Sequence, residues 1–308
     1  MTNKRNTRNW LNLAFLCCLV FCAAGCGSRE DPLSQYDYRL TRQLVRLMQN
    51  AADQLETQGT NAFTIFRDAP DDWTFSDAYL YVYSTNGTCL FHAGMPELEG
   101  QALLDVEDAS GRRSLQMALQ AAADTNDPHG WVHYWWNLPN RLYPIWKSSC
   151  HQLVTLPDGQ NVLLGAGLAN LPRERDFVRN NVDAAARLLA EQGTNALELI
   201  DHPLSRFRLP GSPIFVVAED GTALLSPSFQ ISQHQNILHY QDDAGHRPLL
   251  DALTRLEHTN RLWTILLVRT TDSMNLRKKG LYIRETRIGT NKVYAAATAD
   301  LPEPAWMQ

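Results

Sequence analysis

The chain has 308 residues, 44% hydrophobic and 20% charged, with 17 Gly, 15 Pro and a net charge of −5. That profile excludes a disordered tail, a collagen-like fibre, a disulfide-dense miniprotein and a multi-span membrane protein. The length suggests two domains, each able to bury its own core, and no Lys/Arg run is long enough to indicate nucleic acid.

Lys4, Arg5 and Arg8 open the chain without an acid among them, and Leu11 to Ala24 follows, apolar except for Asn12. This run has the length of a secretory hydrophobic segment and falls short of the ~20 residues of a membrane span. It ends in Ala23-Ala24-Gly25-Cys26, which resembles the lipobox of bacterial lipoproteins, with Ala23 where that family usually carries Leu. The resemblance implies cleavage after residue 25 and a diacylglycerol on Cys26. A plain signal peptide cut nearby, or an uncleaved anchor, is the alternative, and each of the three exports the chain. Gly27 and Ser28 after the cysteine imply outer-membrane delivery in a Gram-negative cell, so the expected location is periplasmic or cell-surface, with the lipid holding the protein to a membrane. Cys17, Cys18 and Cys22 leave with the leader, and Cys89 and Cys150 alone remain in the folded body. Two cysteines are not a disulfide framework. No later apolar run reaches spanning length, so neither a second span nor a cytoplasmic output domain is expected.

The body repeats itself. Ala51 to Phe66 and Ala185 to Ile200 are identical at eight of sixteen positions. The same offset carries Asn86-Gly87-Thr88 onto Asp220-Gly221-Thr222, Asp108 onto Asp242, Gly111 onto Gly245 and Leu115 onto Leu249. One register held over separate blocks indicates two tandem copies of one domain, joined near Leu171-Pro172.

In chain order, Tyr36, Leu40, Leu44, Leu47/Met48, Ala51 and Leu55 recur at helical spacing up to Gly59, and a second short helical stretch follows. Ala78 to Ser84 and Cys89 to His92 form a hairpin about Asn86-Gly87. A helix over Arg112 to Ala123 leads to three strands, Gly130 to Trp136, Ile145 to Leu156 and Asn161 to Ala169. The second copy repeats the series with a helix over Arg173 to Gln192, strands Ile214 to Ala218 and Ala223 to Ser226, and a helix over Arg247 to Leu256. Its last three strands are Leu262 to Arg269, Gly280 to Arg287 and Lys292 to Thr298. The predicted class is α+β, with a long N-terminal helix before two five-stranded antiparallel sheets, each with helices on one face.

Copy one carries Tyr79-Leu-Tyr-Val-Tyr83, Asn86-Gly-Thr88, Leu90-Phe-His92, Pro96-Glu-Leu-Glu-Gly100, Asp108-Ala-Ser-Gly111, Gly130-Trp-Val-His-Tyr-Trp-Trp136, Pro139, Lys147 and Gly165-Ala-Gly167. This succession resembles the PAS-like extracellular Cache domain of chemoreceptors and sensor kinases, and the whole chain is similar to a double Cache module. The organisation this implies is a signal peptide over residues 1–25, a linker over 26–34, Cache domains over 35–171 and 172–301, and a tail over 302–308.

The resemblance implies capture of a small anionic or zwitterionic solute, a carboxylate or an amino acid, and signalling to or delivery to a membrane partner such as a transmembrane receptor. Tyr134, Trp136, Pro139 and Lys147 match the family's Tyr-x-Trp-x-x-Pro...Lys segment; Cys150 stands where relatives usually have Tyr. Residues two apart on a strand share a face, so Tyr81 and Tyr83 join Tyr134 and Trp136 as aromatic candidates. His92 and Lys147 supply polar groups, the lysine for the anionic end. Tyr79 is assigned to the core. The alternative to this reading is a ligand-free interaction or scaffold lipoprotein of the cell envelope.

No cofactor, metal or catalytic centre is expected. His129 and His133 lack a third ligand of recognisable spacing. Asp105, Glu107 and Asp108 lack the terminal Glu of a calcium loop and read as a turn and helix cap. Nucleophile-elbow, zinc-protease and phosphate-loop patterns are missing. At the repeat offset Tyr83 becomes Val217 and His92 becomes Ser226, so copy two is expected to lack this site; Trp263, Lys278, Lys279 and Tyr282 are candidates for a smaller cavity there. In a PAS-like sheet of order two-one-five-four-three, two strands separate Cys89 from Cys150, too far for a bridge. Both are predicted free and buried.

Overall fold

The repeat in the sequence is a repeat in space. The computed structural model describes residues 33–127, 129–137, 142–226, 236–256, 258–270 and 273–302. The signal peptide, Cys26, Pro139 and nearly all of the tail lie outside them. Packing divides the chain between Gln35 and Tyr36, with both sheets in the second unit.

The first module starts with helix α1 (Arg39–Gln58), whose Leu44, Val45, Leu47, Met48, Ala51, Ala52 and Leu55 are buried on one stripe. It stops at Gly59, which takes φ 59° and donates its N–H to the Leu55 carbonyl. L side chains rarely adopt that conformation, so glycine ends the helix without strain. A short helix α2 (Ala62–Asp68) leads to strands β1 (Thr74–Phe75), β2 (Ala78–Ser84) and β3 (Cys89–His92). Helix α3 (Ser114–Ala123) and strands β4 (Val132–Trp136), β5 (Ile145–Thr155) and β6 (Asn161–Ala169) complete the module. The sheet order is β3-β2-β6-β5-β4, as expected for a PAS-like sheet, with the two-residue β1 added alongside β3 on the edge of β2.

The second module repeats this with α4 (Arg175–Gln192), α5 (Asn195–Asp201), β7 (Phe215–Ala218), β8 (Ala223–Leu225), α6 (Pro248–Leu256), β9 (Arg261–Thr270), β10 (Ser273–Ile288) and β11 (Asn291–Asp300). Its order is β8-β7-β11-β10-β9. Gly193 ends α4 at φ 63° with the same N–H, to Leu189, that Gly59 makes to Leu55.

Three expectations need correction. Helices do not lie on one face alone. Every residue of β2 is buried; α3 covers the tyrosine side, and α1 packs along β5 and β6. Helix α3 begins at Ser114, since Arg112 is held by the turn before it through Asp108. Strand β10 begins seven residues before Gly280. Arg277, Lys278 and Lys279 carry no core pattern, and up to Lys278 pairing with β9 alone extends the strand.

Cys89 on β3 and Cys150 on β5 are both free and buried, with β2 and β6 between their strands. No described helix is long and apolar enough to cross a membrane.

Candidate functional site

Strand β6 lies between β2 and β5, and it carries glycine where those strands carry large side chains. Tyr79 and Ser149 both pair with Gly167, and Tyr81 and His151 both pair with Gly165. A Cβ on Gly165 would stand 2.1 Å from the Tyr81 ring, and one on Gly167 1.9 Å from the Ser149 hydroxyl. The two glycines form a trough in which groups from β2 and β5 meet above the middle strand. Neighbouring strands are ~4.8 Å apart, so ordinary side chains on β6 would keep them separate.

Around this trough is a cavity of about 30 Å³, bounded by Tyr79, Tyr81, Tyr83, His92, Tyr134, Trp136, Lys147 and His151, with Ser114, Leu115 and Ala118 of α3 as its roof. Six of the seven residues expected from sequence thus converge: Tyr81, Tyr83, His92, Tyr134, Trp136 and Lys147. Pro139 is outside the described residues. Tyr79 had been assigned to the core; it is buried, but it also lines the cavity. Sequence reasoning missed His151 and Ser149. Both share the Lys147 face of β5 at period two, a signal that was available once the strand was placed.

The lining is ordered by internal hydrogen bonds. The His151 Nδ1–H donates to the Gly130 carbonyl at 2.9 Å, leaving Nε2 to accept from the Tyr81 hydroxyl at 2.9 Å. The Tyr134 and Ser149 hydroxyls are 2.9 Å apart. His92 accepts from the Met95 N–H at Nδ1, so its Nε2 carries the proton, and its ring stacks on Tyr81 and on Trp136. Burial, helped by the nearby Lys147, pushes both histidines down to about 4. Each is a neutral imidazole at neutral pH.

Lys147 differs from all of these. It is 2% exposed, and its Nζ lies 3.7 Å from the centre of the Tyr79 ring, a cation–π contact. No described carboxylate comes within ion-pair distance of it. Burial lowers its pKa to about 7, with Asp77 opposing weakly from beyond the cavity. Two further groups, the Tyr79 hydroxyl and the Trp136 indole N–H, are buried within reach of each other and have no other hydrogen-bond partner. The lining contains no carboxylate. A partnerless ammonium and two under-satisfied donors around one cavity suit an incoming anion, because an unmade buried hydrogen bond costs about 1–3 kcal/mol.

The other candidates have structural work. His129 Nδ1 is bound by the Tyr36 hydroxyl, and His133 Nδ1 pairs with Ser148 Oγ. No group of three potential metal-ligating side chains occurs among the described residues. Asp108 closes its turn by accepting from the Ser110 and Arg112 N–H groups, and reaches the Trp135 N–H on β4. Asp242 does the same in the second module, with Ala244, His246 and Leu267 as donors. Trp263, Lys278, Lys279 and Tyr282 do not form the second module's cavity. That cavity is about 10 Å³ and is lined instead by Phe215, Val217, Leu249, Ile283, Tyr294 and Ala296 among others. Tyr282 is engaged with Asp183.

Residues 38–147 match the family model described as a Cache domain. Among solved structures, the fold is similar to a methyl-accepting chemotaxis protein from Vibrio parahaemolyticus, with 20% identity over 42% of this chain and 88% of that one and a TM-score of 0.33. A Cache chemosensory domain described for carboxylic acid recognition aligns at 22% identity over 43% and 94%, TM-score 0.35. The ligand-binding domain of the Pseudomonas aeruginosa amino acid chemoreceptor PctB, in complex with L-Arg, aligns at 10% over 85% and 87%, TM-score 0.25. No curated protein matches the chain. The matched segment holds the roof and Tyr79, Tyr81, Tyr83, His92, Tyr134, Trp136 and Lys147, while Ser149, His151, Gly165 and Gly167 lie beyond it; residues 38–147 are a Cache domain.

Proposed function

We propose that the first module is a receptor for a small carboxylate or amino acid, and that the protein is an exported sensor or solute-binding lipoprotein. In this reading Cys26 carries the lipid, and the occupied state is presented to a partner in the membrane. The observation that carries the binding step is Lys147: a buried ammonium on a cavity wall with no carboxylate beside it, flanked by the Tyr79 hydroxyl and the Trp136 indole N–H. A ligand carboxylate would accept from all three. The carboxylic-acid and amino-acid ligands named for similar structures agree with that chemistry.

The cavity as it stands, about 30 Å³, holds little more than one or two water molecules, which favours a second reading, an interaction module that takes no ligand. A melting-temperature screen of short carboxylates and amino acids decides between them. A ligand at a hundred times its dissociation constant adds about 2.7 kcal/mol to stability. The expected result is a shift in the wild type that Lys147→Ala removes. Absence of any shift over the panel leaves the ligand-free reading, and shifts equal in Lys147→Ala place the ligand away from the Lys147 cavity. Lipidation is tested separately: Cys26→Ala should move the protein from the detergent phase to the aqueous phase on partitioning.

A further inference from the structure

We infer that the cleft between the two modules is a second binding site, for a small molecule carrying two or more negative charges. The cleft has a volume of about 630 Å³, within the range of small-molecule sites and far larger than the Lys147 cavity. Five arginines line it: Arg179 and Arg187 on α4, Arg206 on the segment after α5, Arg261 on β9 and Arg284 on β10.

Four acids share these walls, Asp124, Asp127, Asp183 and Glu285; Asp124 attracts both Arg187 and Arg206, but none of the four forms an ion pair with Arg187, Arg206 or Arg261. Asp124 accepts from the Asn126 backbone and side chain, and Asp127 from the His129 and Trp131 N–H groups. Asp183 takes the Tyr282 hydroxyl and the Arg284 guanidinium. Arg179 is paired with Asp176. Among the described residues Arg187, Arg206 and Arg261 have neither an ion pair nor a side-chain hydrogen bond. Arg187 and Arg206 flank Asp124, and each raises the cost of the other's charge.

Guanidinium forks match carboxylate and phosphate oxygens two at a time. Three unpaired forks brought together from three separate elements fit a compact polyanion, whereas a monoanion would leave two of them unmatched. A polycarboxylate and a phosphate compound share this chemistry, and the test distinguishes them.

Full-length protein is titrated calorimetrically at low ionic strength with citrate and, separately, with inorganic pyrophosphate. Binding of either supports the inference and names the anion class. Arg187→Gln and Arg261→Gln should each weaken that binding at least tenfold. Should a Gln variant fold poorly by circular dichroism, Arg187→Lys and Arg261→Lys keep the charge and should still weaken binding through loss of the fork. Failure of both anions to bind overturns the inference. So does binding that both arginine positions leave intact, or binding that Lys147→Ala abolishes, which would assign the anion to the first module's cavity.

Discussion

The two modules share one strand ladder and fill it differently. Phe215 pairs with Ala296 as Tyr81 pairs with Gly165, and Lys279 pairs with Asp300 as Lys147 pairs with Ala169. Following the rungs outward, Tyr134 corresponds to Leu266, Trp136 to Val268, Ser149 to Leu281 and His151 to Ile283. Gly165 and Gly167 correspond to Ala296 and Thr298. Where the first module has a trough lined by donors, the second has an aliphatic plug.

The lysine alone persists, and its surroundings explain the difference. Lys279 is 28% exposed on its side chain and reaches Asp300 at 3.5 Å, while the equivalent partner position beside Lys147 is Ala169. The second module supplies the counter-ion from its own chain. The first supplies none at that place.

The largest expected effect tests the feature that both modules keep. Asp108→Ala should cost about 3–5 kcal/mol in chemical denaturation, because it strands Arg112, whose side chain is 3% exposed. Asp242→Ala should cost about 1–3 kcal/mol, the hydrogen-bond share alone, since His246 is 64% exposed. Equal losses would show that the buried arginine adds nothing to the first module's turn.

Converting the trough to its counterpart comes next. Gly165→Ala and Gly167→Thr should each destabilise by about 1–3 kcal/mol through overpacking, and should abolish carboxylate binding in the melting assay. A variant that keeps its affinity would place the site elsewhere.

Lys147→Met should stabilise the unliganded protein near pH 7, by about 1–4 kcal/mol, as a buried charge gives way to an apolar chain. The sign with pH is fixed by the depressed pKa. Between about 7 and 10.5 the unfolded chain holds the Lys147 proton and the folded one does not, so wild-type stability should rise with pH across that window. Lys147→Met should flatten the rise, and a persistent slope would assign it to another group. The smallest effect is Lys279→Met, within about 1 kcal/mol, since a partly exposed ion pair contributes little.

Much of this was legible in the sequence. Strands Ala78–Ser84, Cys89–His92 and Asn161–Ala169 are delimited by their own alternation and turns. The site's aromatic and basic members could be read from family-like motifs in order. Two things could not. Gly165-Ala-Gly167 looks like a terminal strand of small residues until the sheet order puts it between two strands with large side chains. Its role depends on a non-local pairing that periodicity does not contain. Tyr79 reads as core for the same reason, because burial and cavity lining have one sequence signature. The arginine cleft was also invisible, since its members come from separate elements in two modules and share no motif.

Helix α3 has ten residues and two occupied sides. Leu115 and Ala118 roof the Lys147 cavity, while Met117, Gln120 and Ala121 wall the cleft between the modules. Strand β4 is shared the same way, with Tyr134 and Trp136 toward the cavity and His133 toward the cleft. A cavity this small admits a solute only if its roof lifts, and the roof is also the cleft's wall. If both spaces take ligands, occupancy of one would therefore carry a coupling free energy to the other. Linkage makes that coupling reciprocal: whatever factor a solute imposes on anion affinity, the anion imposes on the solute.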